Sequence, residues 1–171
     1  RVTGQYHNNL KKRMKQLNFD FTGNMGGLSR MFAIPVLSYK RIRRDHTNSS
    51  NYLEVINRDD IIDIYLTDDT GMFSEPFEKG VYKVEISGIN PKSNPLNQQQ
   101  LIRLESEEYW FVLFQDNNDF IRLAGTEENQ LAFTRTDNSG QLDSRNQIEF
   151  MFSGAQTTPC EFIALVEMDE L

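Results

Sequence analysis

Short apolar segments, each closed within a few residues by Gly, Pro, Asn or Asp, recur along almost the whole chain. This spacing leaves room for strands but for few helices. The longest apolar run is Tyr109-Trp110-Phe111-Val112-Leu113-Phe114. It is strand-sized and far short of the roughly 18 residues that a membrane span needs. Leu17-Asn18-Phe19-Asp20-Phe21 alternates strictly, which gives one apolar and one polar face, the pattern of a half-buried strand. Gly23 to Gly27 then breaks it.

Met31 to Leu37 is apolar but contains Pro35. Proline cannot donate to a ladder, so this segment is predicted at a sheet edge or a bulge. Tyr52 to Ile56 and Ile61 to Leu66 read as a strand pair, joined through Arg58-Asp59-Asp60. Thr67 to Lys79 reads as a long loop, and Val81 to Ile86 as a strand closed by Gly88. Five more strand-like segments follow: Trp110 to Phe114, Phe120 to Leu123, Leu131 to Thr134, Ile148 to Phe152 and Glu161 to Val166. Gln115 to Asp119 has the composition of a hairpin loop, and Asp137-Asn138-Ser139-Gly140 that of a second turn. Asn97 can cap a helix whose apolar face is Leu101 and Leu104.

Together these segments predict a mainly β fold, a β-sandwich or β-barrel with one short helix near residues 97–107. Residues 1–16 are polar and basic and read as an extended N-terminal arm that a partner orders. Residues 17–171 read as a single β domain, since 171 residues, 38% of them hydrophobic, suffice for one core. Met14 offers an internal start, which would make the first 13 residues an extension. The basic N-terminus is followed by no apolar stretch of the signal-peptide kind. With Cys160 as its single cysteine the chain can form no internal disulfide, which fits folding in a reducing, cytoplasmic compartment.

Charge is unevenly spread. From Arg1 to Arg44 the chain carries ten Lys and Arg against Asp20 alone, whereas the remainder carries 8 basic and 24 acidic residues. Two clusters hold most of the positive charge: Lys11, Lys12, Arg13 and Lys15, then Lys40, Arg41, Arg43 and Arg44. Unlike patches of this kind predict a contact within the chain, between neighbouring subunits, or with nucleic acid. An acidic body repels a phosphate backbone outside the basic face, so pairing between subunits ranks first and nucleic acid second. The eight residues are therefore candidate assembly contacts.

Little else offers chemistry. His7 and His46 lie in polar surroundings, with no partner spacing for zinc or for a nucleophile–base pair. Cys160 precedes an apolar strand and reads as a packed thiol. Adjacent carboxylates such as Asp59-Asp60 and Glu127-Glu128 point to opposite faces of an extended chain and seldom converge. Asp116-Asn117-Asn118-Asp119 has oxygens for calcium but lacks the glycine and terminal glutamate of the helix–loop–helix site. The expectation is a protein that is not an enzyme, with no cofactor and no metal.

The stretch from Lys15 to Ile163 resembles small structural proteins encoded by tailed phages and prophages of gut bacteria. The residues that carry the resemblance are Phe19-Asp20-Phe21-Thr22-Gly23-Asn24, Phe32-Ala33-Ile34-Pro35, Ile89-Asn90-Pro91-Lys92-Ser93 and Asn97-Gln98-Gln99-Gln100-Leu101. The match is densest in Arg122-Leu123-Ala124-Gly125-Thr126, Leu131-Ala132-Phe133-Thr134, Ser139-Gly140, Arg145-Asn146, Phe150-Met151-Phe152-Ser153-Gly154 and Pro159. The resemblance implies a virion component, a ring or shell subunit of the head–tail connector or tail. It would contact copies of itself and other virion proteins, with no membrane, and assemble in the host cytoplasm. The competing expectation, from the aromatic supply that includes Trp110, is a ligand-binding β-barrel for carbohydrate or lipid without catalytic activity. An apolar pocket lined by aromatics would favour that alternative, and a filled core would not.

Overall fold

The computed structural model describes residues 26–46, 50–90, 95–138 and 147–164. The expected arm, the Leu17 to Phe21 strand, Ser139-Gly140 of the second turn, and Leu165 and Val166 of the last expected strand lie outside these residues. The chain forms β1 (Leu28–Pro35), β2 (Tyr39–Asp45), β3 (Ser50–Val55), β4 (Ile62–Asp63), β5 (Met72–Ser74), β6 (Phe77–Glu78) and β7 (Val81–Asn90). Then come α1 (Pro95–Ser106), β8 (Trp110–Asp116), β9 (Ile121–Ala124), β10 (Ala132–Asn138), β11 (Gln147–Gln156) and β12 (Glu161–Ile163).

The strands build three antiparallel layers. The first sheet runs β12-β9-β8-β1-β4, the second β10-β11-β7-β5 with β6 also on β7, and β2-β3 form a separate hairpin. Among the described residues the sheets stay open at their edges, so the fold is sandwich-like and not a closed barrel. The period of two along each strand sorts the side chains. On β1, Met31 and Ala33 face the second sheet, while Phe32 and Ile34 face the hairpin. On β8, Trp110, Val112 and Phe114 go to the inter-sheet core, and Phe111 and Leu113 go to the hairpin side. The first sheet is therefore covered on both faces. This explains why Trp110 to Phe114 is apolar without alternation: a strand buried on both sides has no polar face.

The hairpin is the third layer. Leu53 is buried, and Tyr39, Ile42 and Val55 pack beside it against Phe32, Phe111, Leu113 and Leu123. The Tyr39 ring stacks on Phe111 at 4.0 Å between centroids. Ala164 N–H donates to Asn51 C=O (2.9 Å) and ties the hairpin to the chain after β12.

Several expected boundaries move. Tyr52 to Val55 pairs with β2 rather than with Ile61 to Leu66, and the latter segment instead supplies β4 alongside β1. Arg58–Asp60 is a short 3-10 turn between them. Pro35 is not on an edge strand: β1 lies between β8 and β4. It is tolerated because it ends β1, beyond the two residues that β4 pairs, Phe32 and Ala33. The Thr67 to Lys79 loop contains β5 and β6. Asp137 and Asn138 belong to β10 rather than to a turn. The helix starts at Pro95, so Asn97 sits in its first turn and not at the cap. Proline suits that position because its missing N–H would have no helical partner there. Leu101 and Leu104 reach the inter-sheet core as expected.

Candidate docking surface on the basic hairpin

Lys11, Lys12, Arg13 and Lys15 lie outside the described residues, but Lys40, Arg41, Arg43 and Arg44 all sit on β2. A register shift between Tyr39 and Arg41 places Lys40 and Arg41 side by side opposite β3. Three cations then converge on one carboxylate: Glu54 lies 3.3 Å from Lys40, 3.0 Å from Arg41 and 3.3 Å from Arg43. The Arg41 hydrogen bond, followed by that of Lys40, holds the Glu54 carboxyl below its usual range. The Arg43 guanidinium also lies over the Tyr52 ring, 4.6 Å from its centroid. One negative charge against three positive ones leaves this outer face of the hairpin positive.

Arg44 is separate from these three. It reaches Glu161 at 2.7 Å, across an open polar cleft of about 360 Å3 between the hairpin and the loops that follow β9 and β11. Tyr39, Glu127, Glu128 and Thr157 line the same cleft. Burial first, then the Glu127 charge, raises the Tyr39 phenol above its ordinary value. Tyr39 is thus a protonated donor at neutral pH, beside one paired guanidinium and three carboxylates. Such a cleft can hydrogen-bond a polar surface.

The other candidates are structural. Asp116 accepts from the Asn118 and Phe120 N–H groups (2.9 and 3.0 Å), and Asn117 donates to Gly26 C=O (2.7 Å), so the acid-rich loop is a self-bonded hairpin turn. Among the described residues no three His, Cys, Asp or Glu side chains gather as a metal site. His46 is an exposed turn residue. Trp110 is fully buried and donates to Leu104 C=O (3.2 Å), so the one tryptophan is not presented to any ligand. Cys160 is buried in the inter-sheet core. Its backbone N–H donates to Glu75 (2.6 Å), and burial, then Glu75, pushes the thiol far up.

Cys160 is therefore expected to label slowly with thiol reagents in the native protein, at a rate that still climbs with pH where an ordinary thiol of pKa about 8.5 levels off. The stability that this neutral thiol contributes is complete below the ordinary thiol pKa of about 8.5 and is lost as pH rises above it. Rapid native labelling that follows a thiol of ordinary pKa would contradict this placement.

Composition revealed the basic cluster, but not Glu54 or Glu161, which face it from 13 and 117 residues away along the chain. Nor did it reveal the cleft, which forms only where the hairpin meets the loops after β9 and β11. Compared with known protein families, curated proteins and solved structures, the chain matches none.

Proposed function

We propose that this domain is a structural subunit that assembles with copies of itself through the basic face of the β2–β3 hairpin. On the resemblance described above, the assembly is a ring or shell of a phage particle, in the head–tail connector or tail. The observation that carries the reading is the convergence of Lys40, Arg41 and Arg43 on the single carboxylate of Glu54. It leaves an exposed positive face on a domain whose described residues hold 20 acidic against 11 basic side chains. The acidic surface of the next copy is the complementary partner, and opposite patches steer and orient association. A stable sandwich that offers one charged layer suits a repeating contact between identical subunits.

The reading predicts salt-sensitive assembly. Native mass and sedimentation are to be measured at about 0.1 M and about 1 M salt, where charges are screened over about 10 and about 3 Å. The full chain is expected to form a defined oligomer at low salt and to dissociate at high salt. K40E/R41E/R43E is expected to remain monomeric at both, with its fold intact by circular dichroism. A chain that is monomeric at low salt and high concentration overturns the proposal, as does a triple variant that assembles normally.

A further inference from the structure

The outer face of the second sheet lies on the far side of the molecule from the hairpin. The layers stack as hairpin, first sheet, second sheet, because the first sheet packs on the hairpin with one face and on the second sheet with the other. The period of two turns Met72 of β5, Ser87 and Ile89 of β7, and Glu149 and Met151 of β11 away from that core. The register then aligns them in rows. Met72, Ser87, Met151 and Thr134 stand side by side across four strands, and Ile89, Glu149 and Thr136 form the next row. An open groove of about 340 Å3 runs over these rows. Among the described residues nothing packs over it: Thr134, Thr136 and Glu149 are exposed, and Met72 is 64% exposed. Its apolar walls are two methionines and an isoleucine, and unbranched methionines adapt to whatever side chain they meet.

The charge around the groove is negative. Glu149 and Arg135 line it. Glu149 accepts only from the side-chain amides of Asn138 and Gln147 (3.0 Å each), which leave its charge in place. Arg135 is shared by two carboxylates, Glu105 and Asp137. Glu85, opposite Ser153 on the same outer face, shares Lys83 with Glu78. Five carboxylates therefore stand against two cations. The hairpin is the converse surface. Leu53 and Val55 face inward, so alternation turns Tyr52, Glu54 and Ile56 outward. Ile56 continues the ladder, its N–H donating to Ser38 C=O (2.7 Å), yet it is 68% exposed. An isoleucine thus stands beside the three cations gathered on Glu54. Asp59 and Asp60 of the following turn are offset in number by Arg58 and by Arg103, which lies 2.9 Å from Asp60.

We propose that this groove receives the β2–β3 hairpin of a second copy. Ile56 of one copy sits over Ser87 of the next, between Met72 and Met151, and Lys40, Arg41 and Arg43 face Glu149 and Glu85. A cavity of about 150 Å3 holds a benzene ring, so the groove has room for an isoleucine side chain. The inference rests on the assembly reading above and names the surface that accepts the basic hairpin. It also sets the type of symmetry. Hairpin and groove lie on opposite sides of the subunit, so the contact is heterologous. Each copy gives its hairpin to one neighbour and takes the hairpin of another, and the series closes as a ring or runs on as a filament rather than stopping at a two-fold dimer.

Charge exchange on the full chain tests it. At about 0.1 M salt, E85K/E149K is expected to lose the oligomer and run as a monomer by native mass, with its fold intact by circular dichroism. Mixed with K40E/R41E/R43E, it is expected to regain the oligomer with the two variants in equal numbers, because each then offers the other an unlike patch. Disulfide capture reads the same contact without altering charge. An I56C chain and an M151C chain, mixed under mild oxidation, are expected to join as I56C–M151C, while the buried Cys160 stays out of the reaction. Three results overturn the groove and leave the hairpin reading standing: E85K/E149K that assembles like the unaltered chain, a mixture that stays monomeric, or I56C–I56C as the main product. An unaltered chain that is monomeric, or K40E/R41E/R43E that assembles normally, overturns the hairpin reading and the groove with it.

Discussion

Trp110→Ala is expected to remove about 3–5 kcal/mol of folding stability, a large share of the 5–15 kcal/mol that holds a typical domain together. Trp110 is fully buried where three elements meet. Its backbone exchanges hydrogen bonds with Leu131 (2.8 and 2.9 Å), it stands opposite Pro35 across the first sheet, and its indole N–H donates to Leu104 C=O near the end of α1. Truncation leaves a cavity and removes the partner of a helix-terminal carbonyl, and the two losses act together. Urea denaturation measures the loss. The exposed Leu37→Ala serves as the control and is expected to shift stability by no more than about 0.5 kcal/mol. A Trp110→Ala midpoint equal to that of the control would show that the residue does not carry the junction.

The second large effect is expected at Gly88. The sequence suggests that this glycine ends a strand, but β7 continues through it to Asn90, with Gly88 opposite Phe150 of β11. A β-carbon there would lie 2.9 Å from the Phe150 ring and closer still to a Leu66 methyl group. The requirement is close approach, and Gly88 sits in the strand to leave that space empty. Gly88→Val is expected to destabilise by about 1–3 kcal/mol or more through overpacking. In a domain of this size each kcal/mol lowers Tm by about 2–4 °C. Leu66→Ala is expected to recover part of the loss when combined with Gly88→Val, because the pair share one space. A double variant whose Tm equals the sum of the two single effects would show that Leu66 is not the clashing partner.

Strands whose own residues supply the pattern were legible in the sequence. Trp110 to Phe114 and Ile148 to Phe152 carry dense apolar signals, and Gln115 to Asp119 marks the β8–β9 connection by composition alone. Elements defined by a partner were not legible. Met72-Phe73-Ser74 has no period to detect and becomes a strand because Ser87, Ile86 and Glu85 lie beside it. In β2 the cations overshadow the spacing of Tyr39 and Ile42, so the segment reads as a charge cluster, and Tyr52 to Val55, which pairs with it, reads as the mate of Ile61 to Leu66 instead. Pro35 misled because a proline rule speaks of a strand's neighbours, and the sequence does not show that β4 stops short of it. The same limit applies to the docking surface: Lys40 to Arg44 could be found by composition, whereas Glu54 and Glu161 are found only through register.

The central sheet has a genetic consequence. Because β8 sends Trp110, Val112 and Phe114 to one compartment and Phe111 and Leu113 to another, neighbouring codons of one strand belong to different packing neighbourhoods. Compensating changes for a lesion at Phe111 or Leu113 belong in the hairpin, at Tyr39, Ile42 or Leu53. Those for a lesion at Val112 or Phe114 belong on the inner face of the opposite sheet, at Val84, Ile86 or Phe152. A suppressor map of this one strand would therefore split into two interleaved sets, each tracing a different layer of the molecule.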